Sequence, residues 1–145
     1  MKHIVLLCSA NRKGPHPQPA LELYRSSLYR YGRAYALAQR PDFLYLLSAS
    51  YGLLEASRVV EPYPHTMTGL DDKELETWAL LIRNQLRARH ERVPDRLTLL
   101  ALDRFAAPLL RQIPEAEAPL RGMRMQEAAH WLRNWLADWE SAGKP

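Results

Sequence analysis

"HIVLLCSANRKGPHPQPALELY" occupies residues 3–24, and its reading decides the fold. Residues 3–8 form a near-continuous apolar run, the pattern of a strand buried on both faces. From Leu21 onward the pattern turns helical, with Leu21, Tyr24, Leu28, Tyr31 and Tyr35 on one face. Between them lie Cys8, Ser9, Asn11, the cations Arg12 and Lys13, and three prolines. A plain turn needs a Gly or an Asn and little else. The crossover has the composition of a site.

Two more apolar runs stand downstream, "FLYLLS" at 43–48 and "LTLLAL" at 97–102. Helical patterns separate and follow them. Leu75, Trp78, Ala79, Ile82 and Leu86 share a face, and Asp71 with Glu74 forms a D-x-x-E start signal ahead of them. Residues 105–112 suit a short helix with Pro108 in its first turn. A last amphipathic helix is expected over 123–139, turning Met125, Ala128, Ala129, Leu132, Leu136 and Trp139 inward. A short fourth strand is weakly signalled at 116–120. The order β-α-β-loop-α-β-α-(β)-α predicts a three-layer α/β/α sandwich with a small, mostly parallel four-stranded sheet. Right-handed crossovers gather the strand-to-helix loops at one edge, where open α/β sheets bind ligands.

The 145 residues are read as one domain, 1–145, large enough for a core without staples. No apolar run approaches a membrane span and no cleavable signal pattern opens the chain, so a cytoplasmic protein without membrane contact is expected. A single cysteine excludes an internal disulfide framework, and five scattered histidines offer no metal-ligand spacing. Walker and dinucleotide glycine motifs are absent, so no cofactor is called for. The net charge of +4 hides an asymmetry: residues 1–40 hold seven cations against the lone carboxylate of Glu22. Arg12, Arg25, Arg30 and Arg33 are candidates for a nucleic-acid backbone, and Arg83, Arg87, Arg89, Arg92 and Arg96 form a second cluster. Solvated arginine on helix surfaces is the plainer alternative.

Three polar segments are expected to meet at the loop edge. In the first, Cys8 is a small core residue or a thiol at the site. Ser9 and Asn11 suit a base edge or phosphate, or else satisfy the turn backbone. Lys13 suits phosphate. The second runs from Ser48 to Asp72, too apolar for disorder, and is read as an ordered pocket-forming loop. There Gly52 supplies a positive φ or close backbone approach, and Pro62 and Pro64 stiffen the chain around Tyr63. Tyr51 and Tyr63 stack on a base or simply pack. Glu61 activates water, holds a sugar hydroxyl or pairs with an arginine. His65 and His16 are the nearest titratable groups. In the third, "ALDRFAAP", Asp103 caps the following helix and Arg104 reaches an anion at its start. Tyr24 and Ser48 complete the substrate-binding set.

These segments carry a family resemblance. "CSANRKGPHPQPALELYRSSLYRYGRAYA" resembles the opening of a widespread bacterial domain of unknown function, C-S-x-x-K then P-A-x-x-L-Y-x-S-x-L-F then A-R-A-Y-A. "LYLLSASYGLLEASRVVEPYPHTM" is similar to its second block, L-S-A-x-x-G-L-L then I-x-P-Y-x-x-T, and "PLRGMRMQEAAHWLRNWL" to its closing block. The second block is shared with the YaaA peroxide-stress proteins, and related domains occur in archaeosine-type tRNA-modifying enzymes. The resemblance implies a uracil-DNA-glycosylase-like fold. Through small antiviral members of that group, it implies a DNA glycosylase that removes a modified phage base such as glucosylated hydroxymethylcytosine. Two departures stand out. "ALDRFAAP" replaces an A-G-x-x-Y motif, and no acid occurs between Met1 and Leu21. Water activation must then come from elsewhere, such as Glu61, or leaving-group stabilisation replaces it, with Glu61 or Asp103 offsetting the sugar charge and Asn11, Ser9, Lys13 or His65 donating to the base. Two alternatives stay open: a non-catalytic DNA-binding stress protein of YaaA type, and an enzyme of a small modified nucleoside or deazapurine nucleotide. Oligomeric state is not legible, a monomer being compatible with the pattern.

Overall fold

The computed structural model describes residues 2–8, 18–23, 27–60, 69–91 and 94–143. In chain order its elements are β1 (His3–Cys8), β2 (Gln18–Pro19), α1 (Ala20–Leu23), α2 (Ser27–Ala38), β3 (Phe43–Ser48), β4 (Gly52–Glu55), β5 (Val59–Val60), α3 (Asp72–Arg89), β6 (Arg96–Leu100), α4 (Asp103–Gln112) and α5 (Met125–Ser141). The protein is mixed α/β.

The three apolar runs form three adjacent strands of a four-stranded sheet ordered β4-β3-β1-β6. β1 lies parallel to both neighbours, with Leu6 opposite Tyr45 on β3 and Leu99 on β6. Successive side chains of a strand point to opposite faces, which is why β1 needs apolar residues throughout. Ile4 and Leu6 join a buried cluster with Trp78, Ile82 and Leu109 of α3 and α4. Val5 and Leu7 join another with Tyr29, Tyr35, Ala128 and Leu132 of α2 and α5. A side chain at Gly32 would put its Cβ 3.1 Å from Leu7 Cδ1, so the absent side chain lets α2 lie close on β1.

The sheet departs from the expected, mostly parallel one. It is mixed, because the fourth strand comes from the segment expected to be strandless. After β3 the chain turns through 49–51 and Gly52, at φ +69°, into β4, antiparallel to β3. β5 then pairs antiparallel with β2 in a separate two-stranded ribbon, Gln18 opposite Val60. The expected strand at 116–120 shrinks to one parallel bridge, Glu117 with Thr98, held by Leu99 N–H to Glu117 O at 2.7 Å and Glu117 N–H to Leu97 O at 2.8 Å.

Helix starts follow their local chemistry. α3 carries the capping box: Asp71 Oδ1 accepts the Glu74 N–H at 2.8 Å, and Glu74 Oε1 accepts the Asp71 N–H at 3.1 Å. α4 begins at Asp103, two residues before its expected start at 105, so Pro108 falls in the second turn, where it is buried and leaves the Arg104 carbonyl without its usual helical donor. In α2 Tyr29 and Tyr35 are buried while Tyr31 is only half-buried, its ring facing the Arg133 guanidinium at 5.9 Å. Met125, expected inward, opens α5 and is 61 % exposed; the deep residues of that helix are Ala128 and Leu132.

Candidate functional site

Parallel strands end on one side, so β1, β3 and β6 release the chain at a common carboxyl edge. The registers set Cys8 opposite Leu47, the neighbour of Ser48, and Leu7 opposite Leu100, the neighbour of Ala101. Cys8 is therefore level with Leu47 and with Ala101, the residue after β6, while Ser48 ends β3 one residue further out.

Each has a definite local role. Cys8 packs against the α3/α4 cluster, and burial pushes its thiol up to about 12. At neutral pH it is a neutral, core-lining SH. Ser48 is fully buried; its hydroxyl accepts the N–H groups of Ser50 at 3.3 Å and Tyr51 at 3.2 Å, and its carbonyl accepts Trp78 Nε1–H at 2.9 Å. This builds the turn into β4. Tyr51 is half-buried at the tip of that turn, with the Arg58 guanidinium 5.2 Å from its ring centroid.

Gly52 has the expected positive φ, and α3 explains the close approach. Gln85 Oε1 accepts the Leu53 N–H at 2.7 Å and Gln85 Nε2 donates to Tyr51 O at 3.2 Å, so a Cβ on Gly52 would collide with the Gln85 amide. Arg89 adds a bond to Leu53 O at 3.2 Å. Side chains of α3 thus stand in for a neighbouring strand and close part of the β4 edge. Neither Gln85 nor Arg58 was singled out from the sequence. The only signal for Gln85 was a polar residue directly beside the buried stripe of α3.

The third segment behaves differently from expectation. The N-cap of α4 is Leu102, and Asp103 is the first helical residue. Its carboxylate receives the Gly122 N–H at 2.9 and 3.1 Å, tying the turn before α5 to the start of α4. Arg104 is exposed and reaches back to α3, donating to Leu70 O at 2.7 Å and Asp72 Oδ1 at 3.4 Å. Asp103 and Arg104 thereby draw residues 70–72 and 122 to the same edge.

Of the backbone candidates, Arg30 is exposed and Arg33 half-buried on α2. The second basic cluster does not reach the edge. α3 starts there, at Asp72, and its 18 residues span about 27 Å, so Arg87 and Arg89 in its last turn stand at the opposite, amino edge. Arg89 lies over the Tyr45 ring at 5.4 Å, and Arg96 pairs with Glu117 at 3.2 Å. Two histidines are also built into that far edge. His3 Nε2 meets Thr98 Oγ1 at 2.9 Å, and His90 Nε2 meets Tyr45 OH at 2.7 Å. Burial lowers both imidazoles, helped by Arg96 at His3 and by Lys2 and Arg89 at His90. Ser9, Asn11, Arg12, Lys13, His16, Tyr24, Arg25, Glu61, Tyr63, His65 and Arg92 lie outside the described residues.

Among the described residues no group of three or more His, Cys, Asp or Glu is placed to hold a metal ion, and no helix is long and apolar enough to cross a membrane. A groove of about 440 Å³ runs along α5, lined in part by Glu127, Trp131, Trp135 and Asp138, the two tryptophans also packing against the α2/α5 cluster. No curated protein and no solved structure matches the chain. A family model does, over residues 4–134, nearly the whole length of what has just been described. The chain belongs to that family, the family of unknown function DUF6884.

Proposed function

We propose that the protein is a DNA glycosylase acting at the carboxyl edge of the sheet on a modified base, in a three-layer α/β/α domain of the uracil-DNA-glycosylase type. The layer reading draws support from the two buried clusters, one holding α3 and α4 and the other α2 and α5. The functional reading draws on one observation above all: the adjacent parallel strands β1, β3 and β6 release the chain at one edge, ending at Cys8, Ser48 and Leu100 in a stagger of one residue per strand. Segments 9–17 and 61–68 adjoin this framework in sequence through Cys8, Gln18, Val60 and Gly69, and they carry Asn11, Glu61 and His65.

The reaction breaks the C1′–N bond, forms a C1′–O bond from water, and leaves the base with a proton and the strand with an abasic sugar. Its transition state places positive charge on the sugar and negative charge on the base. Glu61 would offset the first and activate water. Asn11, Ser9, Lys13 or His65 would donate to the second. Tyr51 and Tyr63 would hold the flipped base, and Arg12, Arg25, Arg30 and Arg33 the strand. Phage antiviral defence in the cytoplasm is the setting this implies.

A second reading has its own support. The described edge groups are occupied by the fold: Cys8 is a neutral thiol, the Ser48 hydroxyl serves a turn, and Asp103 and Arg104 tie loops together. That favours a non-catalytic DNA-binding module. Incubation with unmodified DNA and with modified-base phage DNA, followed by alkali, separates the two. A glycosylase leaves alkali-labile sites in one substrate; a binding module leaves none and shows salt-sensitive retention.

A further inference from the structure

We propose that the groove along α5 binds a linear aliphatic polyamine, its terminal ammonium groups at Glu127 and Asp138 and its methylene body across Trp131 and Trp135. The groove is open to solvent along one side and offers about 440 Å³, the volume of a small-molecule site. Its described lining holds two carboxylates and no Lys or Arg, although the chain carries a net charge of +4. Among the described residues neither Glu127 nor Asp138 enters an ion pair. Arg133, on the same helix, lies over Tyr31 instead.

Eleven residues of helix separate the two carboxylates, about 16 Å along the axis. The aromatic wall between them is held in place. Trp135 meets Tyr35 edge-on at 4.6 Å and lies near-parallel to Trp139 at 6.2 Å, while Trp131 tilts against Tyr35 at 5.6 Å. Glu127 Oε1 accepts the Arg124 N–H at 3.3 Å, which fixes its carboxylate without neutralising it. Fixed indoles beside carboxylates that lack a cation suit an alkylammonium, which combines ring-face attraction with ion pairing. They do not suit a phosphate. A basic peptide would need main-chain partners. The polar side chains between the carboxylates, His130 and Asn134, bond each other at 3.0 Å and leave the wall to hydrocarbon.

The test titrates the full chain with spermine at fixed ionic strength, read by tryptophan fluorescence, with magnesium ion and tetralysine as parallel titrants. Saturable binding with a dissociation constant of about 10–100 μM is expected. The Glu127→Gln/Asp138→Asn pair, which keeps both side-chain shapes, should weaken it at least tenfold with an unchanged circular-dichroism spectrum. Four results would overturn the assignment: no saturable change up to millimolar spermine, an equal response to magnesium, undiminished affinity in the double variant, or tetralysine binding more tightly than spermine.

Discussion

Gln85 brackets Gly52: one amide group accepts the N–H of the following residue at 2.7 Å and donates to the carbonyl of the preceding one at 3.2 Å. The bracket works only because position 52 has no side chain and holds a φ of +69°. Gly52→Ala should therefore lower unfolding stability by about 2 kcal/mol, from left-handed backbone strain and displacement of the amide together. Gln85→Leu should cost about 1–3 kcal/mol, since it strands the Leu53 N–H. Because both act on one contact, the double variant should cost clearly less than the sum, which urea denaturation of all four proteins measures.

Arg40 is the one non-glycine residue with positive φ among those described, at 49°, just past the end of α2. Left-handed backbone costs an L-residue roughly 1–2 kcal/mol, partly offset for glycine by its freedom when unfolded. Arg40→Gly should raise stability by about 0.5–1 kcal/mol, and Arg40→Val should lower it. Thermal unfolding of the two variants gives opposite shifts if the helix end is as described.

Acid should weaken the fold through the amino edge. His3 and His90 are held below the ordinary imidazole value of 6.5 when folded, mainly by burial. The unfolded chain thus takes up these protons first. The stability they contribute is intact above about pH 6.5 and is lost as pH falls below it. Denaturant midpoints from pH 8 to 5 should stay flat and then drop, and a His3→Gln/His90→Gln variant should show a shallower drop. An unchanged profile in that variant would place the acid sensitivity elsewhere.

The Cys8 thiol should be nearly inert. With its pKa pushed up to about 12, the thiolate fraction at pH 8 is on the order of one in ten thousand. Alkylation of the native protein by iodoacetamide should be far slower than in urea. Cys8→Ala should preserve any activity at the edge, because Cys8 packs against the α3/α4 cluster and its thiol stays neutral.

Much of the fold was legible in the sequence where burial is symmetric. The runs at 3–8 and 43–48 are apolar on both faces, and both end where the structure ends β1 and β3. The D-x-x-E signal gave the start of α3 because both halves of its capping box are local. β4 was missed because "GLLE" is four residues long and depends on Gln85 and Arg89, 32 and 36 residues from Leu53, for its outer hydrogen bonds. Asp103 was read as a cap from its position alone, whereas its partner, Gly122, is distant in sequence. Site legibility divides the same way: the positive φ of Gly52 follows from turn chemistry, while the turn built on the hydroxyl of Ser48, a residue expected to bind substrate, shows only in the fold.

The most direct measurement is the count of alkali-labile sites in modified-base phage DNA after incubation with the wild-type protein, Glu61→Gln and Asn11→Ala. Abasic sites in the modified DNA alone, lost at least a hundredfold in both folded variants, are the expected result. DNA left intact by the wild-type protein, or cleaved equally by all three, would contradict a glycosylase at the carboxyl edge.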